Sequence, residues 1–329
     1  MTILALLIVT LVVPDPVNAP ARLEPALREA AFQVWQANST AGPPAPGERL
    51  WECAMCPEMV VAPTGSVTLG SPGDEPGRAA DEGPQRRVRI DRNIAVSRFE
   101  VTRAEYEAFV AATAYPVRGN CITDRVQRGN WVPNVDTDLR DPGYSQTDTH
   151  PVACVSWNDA QAYVAWLNHQ TSGGYRLLSE VEWEYLARAG STTAYPWGAD
   201  VDSGCAHMNG SDTALRAKYP EPEIFPLGQD ATCTDGALNT APVGSYRANA
   251  FGLHDMIGNV SEWVEDCATD SYSSVPADGS PAQGDCARHM VRGGSWGTYA
   301  RQLRSAERLR YAPGDRDDSI GIRVAKTLR

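Results

Sequence analysis

The stretch Asn249-Ala-Phe-Gly-Leu-His-Asp-Met-Ile-Gly-Asn-Val-Ser-Glu-Trp263 follows neither the helical nor the strand period, and two carboxylates stand among its apolar residues. These neighbours predict that Asp255 and Glu262 are held between buried side chains. Gly252 and Gly258 permit backbone turns that a residue with a Cβ disfavours. Carboxylates and turn carbonyls are the hard oxygen ligands that calcium prefers. The stretch predicts a calcium site or, alternatively, a turn capped by Asp255 with Glu262 facing solvent.

The composition indicates a large core and an acidic surface. The chain has 329 residues, 42% of them hydrophobic, which is enough for one large domain or two smaller ones. Its 29 Lys and Arg residues against 41 Asp and Glu residues give a net charge of −12. Because anionic surfaces repel this chain, nucleic acid and anionic membranes are not expected as partners.

Residues 1–19 resemble a secretory signal peptide. The apolar run from Ile3 to Val13 is too short to span a bilayer, and Val17-Asn-Ala19 is an acceptable cleavage site. The alternative is an uncleaved, buried strand. We expect an exported protein, secreted or periplasmic, that has no membrane span and is a monomer.

Residues 20–50 form a separate N-terminal region. Its apolar residues have helical spacing, and a Pro- and Gly-rich segment, residues 41–47, ends the helix and acts as a linker. The pattern leaves open whether this helix docks on the domain or only leads into it. The main domain is predicted to cover residues 51–329.

The eight cysteines, an even number, fit an oxidising compartment. Eight cysteines allow 105 connectivities, and our hypothesis is that each pairs with its neighbour along the chain. The predicted pairs are Cys53–Cys56, Cys121–Cys154, Cys205–Cys233 and Cys267–Cys286. The spacing of the first pair also resembles half a zinc site or a redox motif, but no second such pair exists, which favours a structural disulfide.

Local signals predict an α+β fold with much irregular structure. Thr102-Arg-Ala-Glu105 and Ser179-Glu-Val-Glu182 are capping boxes followed by apolar stripes, and Ser156 or Asn158 caps another helix. Residues 59–70 are predicted to form two short strands around a Pro-Thr-Gly turn, and further strands are expected within residues 88–91 and 94–101. Such a loop-rich chain needs cross-links or bound ions to offset its conformational entropy.

Several motifs resemble the formylglycine-generating enzyme (sulfatase-modifying factor) family, in family order from about residue 57 to residue 325. They are Arg176-Leu-Leu-Ser-Glu-Val-Glu-Trp-Glu-Tyr-Leu-Ala-Arg-Ala-Gly190, Tyr195-Pro-Trp-Gly198, Thr240-Ala-Pro-Val-Gly-Ser245, Gly258-Asn-Val-Ser-Glu-Trp263, Val291-Arg-Gly-Gly-Ser-Trp296 and Gly321-Ile-Arg-Val-Ala325. The resemblance implies a loop-rich variant of the C-type lectin fold, with few helices, short strands and structural calcium.

The resemblance also implies ligands for two calcium ions. For the first ion they are the side chains of Asp255 and Glu262 and the carbonyl groups of Gly258 and Val260. For the second ion they are the side chain of Asp235 and the carbonyl groups of Met208 and Ala237. His207 stands where the family often has Asn, and imidazole is a poor calcium ligand, so the second site is less suited to the ion.

The family's oxidases convert a cysteine to formylglycine with oxygen and copper, and two thiols bind the copper. Counting from Gly293-Gly-Ser-Trp296 places Thr298 and Leu303 at the two thiol positions, while Ser295 is retained. Ser261 replaces a tryptophan of the family's oxygen pocket. A hydroxyl and an isobutyl group cannot replace two thiolates, which suit copper(I). We therefore expect that the protein does not bind copper, and we assign no catalytic residues.

The resemblance also leads to a hypothesis of enzymatic activity. Some relatives are non-haem iron oxidases, and iron is a possible metal. The alternative is therefore an active oxidoreductase of the family, either formylglycine-generating or a non-haem iron oxidase, that modifies a protein or a small thiol. The five histidines form no His-x3-His pair that would mark an iron site.

Lectin-like relatives bind ligands through residues near the C-terminus, which suggests a protein or peptide ligand here. We expect the binding surface to be a groove between the loop 293–296 and residues 298–311. This region is rich in Arg and aromatic side chains, which are favoured at recognition surfaces. The predicted binding residues are Trp296, Thr298, Tyr299, Arg301, Arg304 and Arg308. The alternative is a network of surface ion pairs that holds the last strands.

Overall fold

Two β-sheets, of five and four strands, carry the fold in a computed structural model that describes residues 25–38, 44–123, 132–220, 230–284 and 286–328. The helices are α1 Pro25–Asn38, α2 Arg103–Thr113, α3 Trp157–Gln170, α4 Glu180–Arg188 and α5 Thr213–Lys218. The strands are β1 Arg49–Leu50, β2 Met59–Val61, β3 Gly65–Leu69, β4 Arg86–Ile90, β5 Ile94–Ser97, β6 Cys121–Thr123, β7 Val132–Asn134, β8 Tyr175–Leu177, β9 Ser261–Cys267, β10 His289–Arg292, β11 Leu309–Tyr311, β12 Ile320–Ile322 and β13 Val324–Thr327. The predicted signal peptide and the start of the linker lie outside the described residues.

The C-terminal strands join the two sheets. The five-stranded sheet has the order β1-β2-β5-β13-β8, and the four-stranded sheet has the order β11-β10-β9-β12. Strand β12 runs parallel to β9, whereas β13 pairs antiparallel with β5 and β8. Arg323 stands between β12 and β13. The motif at residues 321–325 therefore crosses from one sheet to the other and places a buried arginine at the crossing.

The three capping signals are confirmed. The backbone N–H of Glu105 donates to the Thr102 hydroxyl, and the Glu105 carboxylate accepts from the Thr102 N–H at 2.8 Å. Ser179 begins α4 in the same way. At α3 the cap is Ser156 rather than Asn158, with Asp159 in place of the glutamate. These helices begin where short-range hydrogen bonds place them.

The segment 59–70 forms two strands, as predicted, but they belong to different sheets. Strand β2 lies in the five-stranded sheet, whereas β3 pairs with β4 in a two-stranded sheet. The chain therefore leaves one layer at this turn instead of closing a hairpin.

Helix α1 docks on the domain. The buried Arg28 donates to the Glu105 carboxylate at 2.8 Å and to the carbonyl groups of Ala54 and Cys56. Phe32 packs edge-on against Trp51, with ring centroids 5.2 Å apart. Because Glu105 also caps α2, one carboxylate connects the N-terminal helix to the core.

The eight cysteines form four disulfides in the neighbour pairing proposed from the sequence. Such a set of disulfides is typical of proteins that fold in an oxidising compartment. Within the described ranges, no helix is both long and apolar enough to cross a membrane.

Candidate functional site

The turn within the opening stretch is built from residues with left-handed backbone. Gly258 and Asn259 have φ values of 83° and 63°. A Cβ at Gly258 would lie 2.2 Å from the carbonyl oxygen of Asn209, so only glycine fits there. Asp255, with φ of 56°, is buried, and its carboxylate accepts from the Gly244 N–H at 2.6 Å. The turn thus holds the Asp255 carboxylate inside the protein.

Glu262 is buried in β9, so the alternative that it faces solvent is wrong. One carboxylate oxygen accepts from Nε1 of Trp183 at 2.6 Å, and the other accepts from Nε of Arg323 at 2.7 Å. Burial raises the pKa of Glu262, and Arg323 opposes this shift. The arginine at the sheet crossing is thus a counter-charge for Glu262.

A third buried carboxylate, Glu100, was missed by the sequence analysis. Its oxygens accept from the Val260 N–H at 3.0 Å and from Nδ2 of Asn259 at 2.7 Å, so it holds the turn in place. Burial, together with the negative charge of Asp255, holds the pKa of Glu100 well above its usual range. In the sequence, Glu100 is marked only by its position as a single acidic residue between Phe99 and Val101.

The charge around this turn fits a bound cation. The guanidinium of Arg323 opposes the rise that burial causes in the pKa values of both Glu100 and Glu262, and Asp255 adds a third buried carboxylate. Each carboxylate oxygen has more than one lone pair and can accept from more than one partner. Within the described ranges, however, no three Asp, Glu, His or Cys side chains are grouped as metal ligands. An ion here would therefore need the carbonyl groups of Gly258 and Val260, as the resemblance implies. Calcium at this position stays a prediction.

The second predicted site is organised by backbone N–H groups. The Asp235 carboxylate accepts from the N–H groups of Gly210, at 2.9 Å, and Ala237, at 2.8 Å. Burial raises the pKa of Asp235 to about 6. Met208 is buried beside this segment. The hydrogen bonds explain the position of Asp235 without an ion, and calcium here also stays a prediction.

At Thr298 and Leu303, the two positions where the resemblance implies thiols, the side chains are packed against neighbouring groups. The Thr298 hydroxyl accepts from the Ser295 N–H at 2.9 Å. Leu303 is fully buried between two glycines. A Cβ added at Gly210 or at Gly294 would lie 2.2 Å or 2.4 Å from its methyl carbons. The isobutyl group therefore fills the space between the two backbone segments.

The predicted binding residues divide into exposed and buried groups. Thr298 and Tyr299 are half-buried and Arg301 is exposed, so these three reach the surface. Trp296 is buried and packs edge-on against Tyr144, with ring centroids 5.6 Å apart. Only part of the predicted recognition surface is therefore accessible.

Arg304 and Arg308 correct that prediction, because both are interior residues. Arg304 is 1% exposed and forms ion pairs with Glu75, Glu82 and Glu307. Arg308 pairs with Glu180 at 2.7 Å. Their guanidinium groups are used inside the fold, where they neutralise buried carboxylates.

Helix α4 explains why the fold needs Arg308 in its interior. All nine of its residues are buried, including Glu180, Glu182 and Glu184. Arg292, itself fully buried, pairs with Glu180 at 2.9 Å and with Glu184 at 3.0 Å. Because a buried charge without a partner is costly, each glutamate requires a nearby guanidinium.

The five histidines occupy separate environments. His207 stacks on Trp197, with centroids 5.4 Å apart, and His289 stacks on Trp157 at 3.9 Å. The others lie in a turn, at the end of α3 and beside Arg98; they are His150, His169 and His254. Iron binding stays a prediction without a histidine group to support it.

Comparisons with known proteins agree with this architecture. Residues 48–328 match the family model of the sulfatase-modifying factor enzyme 1-like domain. The formylglycine-generating enzyme of Bos taurus is 31% identical over 300 residues, covering 82% of this chain and 74% of the relative. The inactive C-alpha-formylglycine-generating enzyme 2 of Bos taurus is 28% identical over 298 residues, covering 81% and 87%.

The fold also matches solved structures. The structure of PvdO from Pseudomonas aeruginosa has a TM-score of 0.72 and 38% identity, covering 87% of this chain and 100% of that one. Treponema denticola variable protein 1, with 19% identity, a TM-score of 0.57 and coverage of 82% and 96%, shares the fold. The chain belongs to the formylglycine-generating enzyme (sulfatase-modifying factor) family, with its α+β, loop-rich, C-type-lectin-like fold.

Proposed function

We propose that this protein is an exported, calcium-stabilised member of the family that binds a protein or peptide ligand and does not oxidise cysteine with copper. The observation that carries the proposal is the packing of Leu303 between Gly210 and Gly294. This apolar side chain stands where the resemblance implies a metal-binding thiol of the oxidases.

The cysteine inventory supports this proposal. All eight cysteines are in disulfides, and the sequence has no cysteine after Cys286. Copper(I) prefers soft sulfur ligands, which neither Thr298 nor Leu303 supplies. Similarity alone does not distinguish an active oxidase from an inactive protein, because the relatives include one named as a formylglycine-generating enzyme and one named as inactive.

The oxidase test uses the purified protein with one equivalent of copper(I), oxygen and a cysteine-containing sulfatase peptide. We expect no aldehyde product by mass spectrometry, while a formylglycine-generating relative under the same conditions converts the peptide. Free-thiol titration of the same sample confirms that the disulfides are intact. Catalytic conversion by this protein would contradict the proposal, and metal analysis would then identify the active ion.

The calcium part of the proposal rests on the buried carboxylates Glu100, Asp255 and Glu262. A ligand that binds only the folded state raises its stability, so calcium should raise the thermal midpoint and a chelator should lower it. D255N, which keeps an acceptor for the Gly244 N–H, should reduce the calcium-dependent shift. D278N, at an exposed acid, is the control. No calcium by metal analysis and no shift with wild-type protein would reject a structural ion.

The ligand-binding part concerns the accessible residues Thr298, Tyr299 and Arg301. A displayed peptide library selected on the wild-type protein should yield binders that Y299A/R301A no longer retains. K218A, on the short helix α5, serves as the control. Peptides that bind the double variant equally well would place recognition elsewhere.

A further inference from the structure

We propose that a pocket walled by Trp197, His207 and Arg247 binds an aromatic ring that carries a carboxylate. The pocket has a volume of about 140 Å³, and its remaining lining comes from residues 196, 248–250, 253 and 255–257. None of residues 293–311 lines it, so it is separate from the groove discussed above.

The pocket has an aromatic wall and an apolar base. Trp197 lies between two stacking contacts, with ring centroids 5.0 Å from Tyr195 and 5.4 Å from His207. The interplanar angles of these contacts are 12° and 16°, so the three rings are nearly parallel. Leu253 and Met256 are buried and contribute apolar surface. Such a surface favours a flat, apolar group.

Arg247 supplies an available positive charge. Its guanidinium forms no hydrogen bond or ion pair with the residues that the structure describes, although the chain carries a net charge of −12. The ring nitrogens of His207 likewise have no hydrogen-bond partner in the described part of the chain. In this acidic protein most interior guanidinium groups are paired, as at Arg292 and Arg304. A guanidinium recognises a carboxylate through two parallel hydrogen bonds.

The charges also orient the ligand. Asp255 lies in the pocket lining and is buried, whereas Arg247 is exposed. A ligand carboxylate is therefore attracted to Arg247 at the rim, and the ring points inward toward the apolar side chains of Leu253 and Met256. A cavity of about 150 Å³ is known to accept benzene, so one six-membered ring matches the space.

Titration calorimetry of the full protein with benzoate tests this assignment, and benzylamine provides the opposite charge on a similar ring. We expect saturable benzoate binding with a dissociation constant of about 1 mM, as for a ligand of this size. Benzylamine should bind at least about tenfold more weakly, since Arg247 repels it. N-acetylphenylalanine tests whether the same chemistry can come from a peptide C-terminus; binding of either acid supports the site.

The variants localise the binding. R247Q should weaken benzoate at least about fivefold, which corresponds to losing a charge-assisted hydrogen bond at an exposed position. R87Q removes an exposed arginine from a different surface pocket and should leave binding unchanged. The assignment would be overturned if neither benzoate nor N-acetylphenylalanine showed saturable binding, or if benzylamine bound as tightly as benzoate. Equal effects of R247Q and R87Q on binding would also overturn it.

Discussion

At the scale of single residues, Leu303 stands where the resemblance implies one of the copper-binding thiols of the family's oxidases. Its methyl carbons occupy the space next to Gly210 and Gly294, so no hole remains there for a ligand to enter. The sequence predicted the substitution by counting from Trp296. It did not predict the packing, because the contact with Gly210 joins segments about ninety residues apart in the chain.

A double-mutant cycle tests this packing. L303A should lower the free energy of unfolding by about 3 kcal/mol, since it removes buried methyl groups and leaves a cavity. G210A should destabilise the wild type, because the new Cβ would lie 2.2 Å from a Leu303 methyl carbon. In the L303A background the same change should cost less. Additive effects in urea unfolding would show that the two positions do not share this space.

Glu307 should make stability depend on pH. Burial raises the pKa of Glu307 to about 7, with repulsion from Glu82 adding to the shift and Arg304 opposing it. The folded state therefore favours the protonated acid, so this contribution to stability is complete below about pH 4.5 and is lost as pH rises through 7.

The variant E307Q keeps an acceptor for Arg304 and carries no charge. It should be more stable than the wild type by about 1 kcal/mol at pH 8 and nearly equal to it at pH 4.5, measured by urea unfolding. E107Q, at a surface ion pair with Arg103, should show no such increase. A pH-independent difference for E307Q would contradict the burial argument.

At the scale of elements, local signals were reliable where their hydrogen bonds are local. The caps at Thr102, Ser156 and Ser179 join residues three apart, and all three begin helices as predicted. Strand partners were not predictable in this way. Strands β2 and β3 are neighbours in sequence but belong to different sheets, since their partners come from distant segments.

Helix α1 provides an element-scale prediction. R28A leaves the Glu105 carboxylate buried without its guanidinium partner, and breaking such a pair costs about 3–5 kcal/mol. We expect α1 to undock and to become cleavable in limited proteolysis before the domain unfolds. E29A, at an exposed residue of the same helix, is the control. Equal proteolysis of the two variants would show that Arg28 does not hold the helix.

At the scale of the whole molecule, cross-links and interior ion pairs hold a chain with little regular structure. The neighbour pairing of the cysteines was predicted as one hypothesis among 105 connectivities, and the structure confirms it. Ion pairs around the last strands were offered from the sequence only as an alternative, and then on the surface rather than in the interior. Arg304 and Glu82 are 222 residues apart, and their sequence neighbourhoods resemble exposed loops. Charge pattern alone therefore placed this arginine on the surface, although it is buried.

The disulfides should contribute unequally to stability. Cys121–Cys154 closes a separation of 33 residues and Cys53–Cys56 a separation of 3. On the chain-entropy model, C121S/C154S should lose about 3–4 kcal/mol and C53S/C56S about 1–2 kcal/mol. Denaturant unfolding of both variants under oxidising conditions measures the difference. A larger loss from the short loop would indicate that its contacts with Arg28 dominate over chain entropy.

The docking of α1 has a practical consequence for where the protein can be cut. The family match begins at residue 48, but the buried contacts of Arg28 lie outside it. A version trimmed to the family limits would expose the Trp51 surface that Phe32 covers, and would leave Glu105 without its counter-charge. Recombinant production and domain fusion should therefore start at or before Pro25, because the evolutionary domain is shorter than the folding unit.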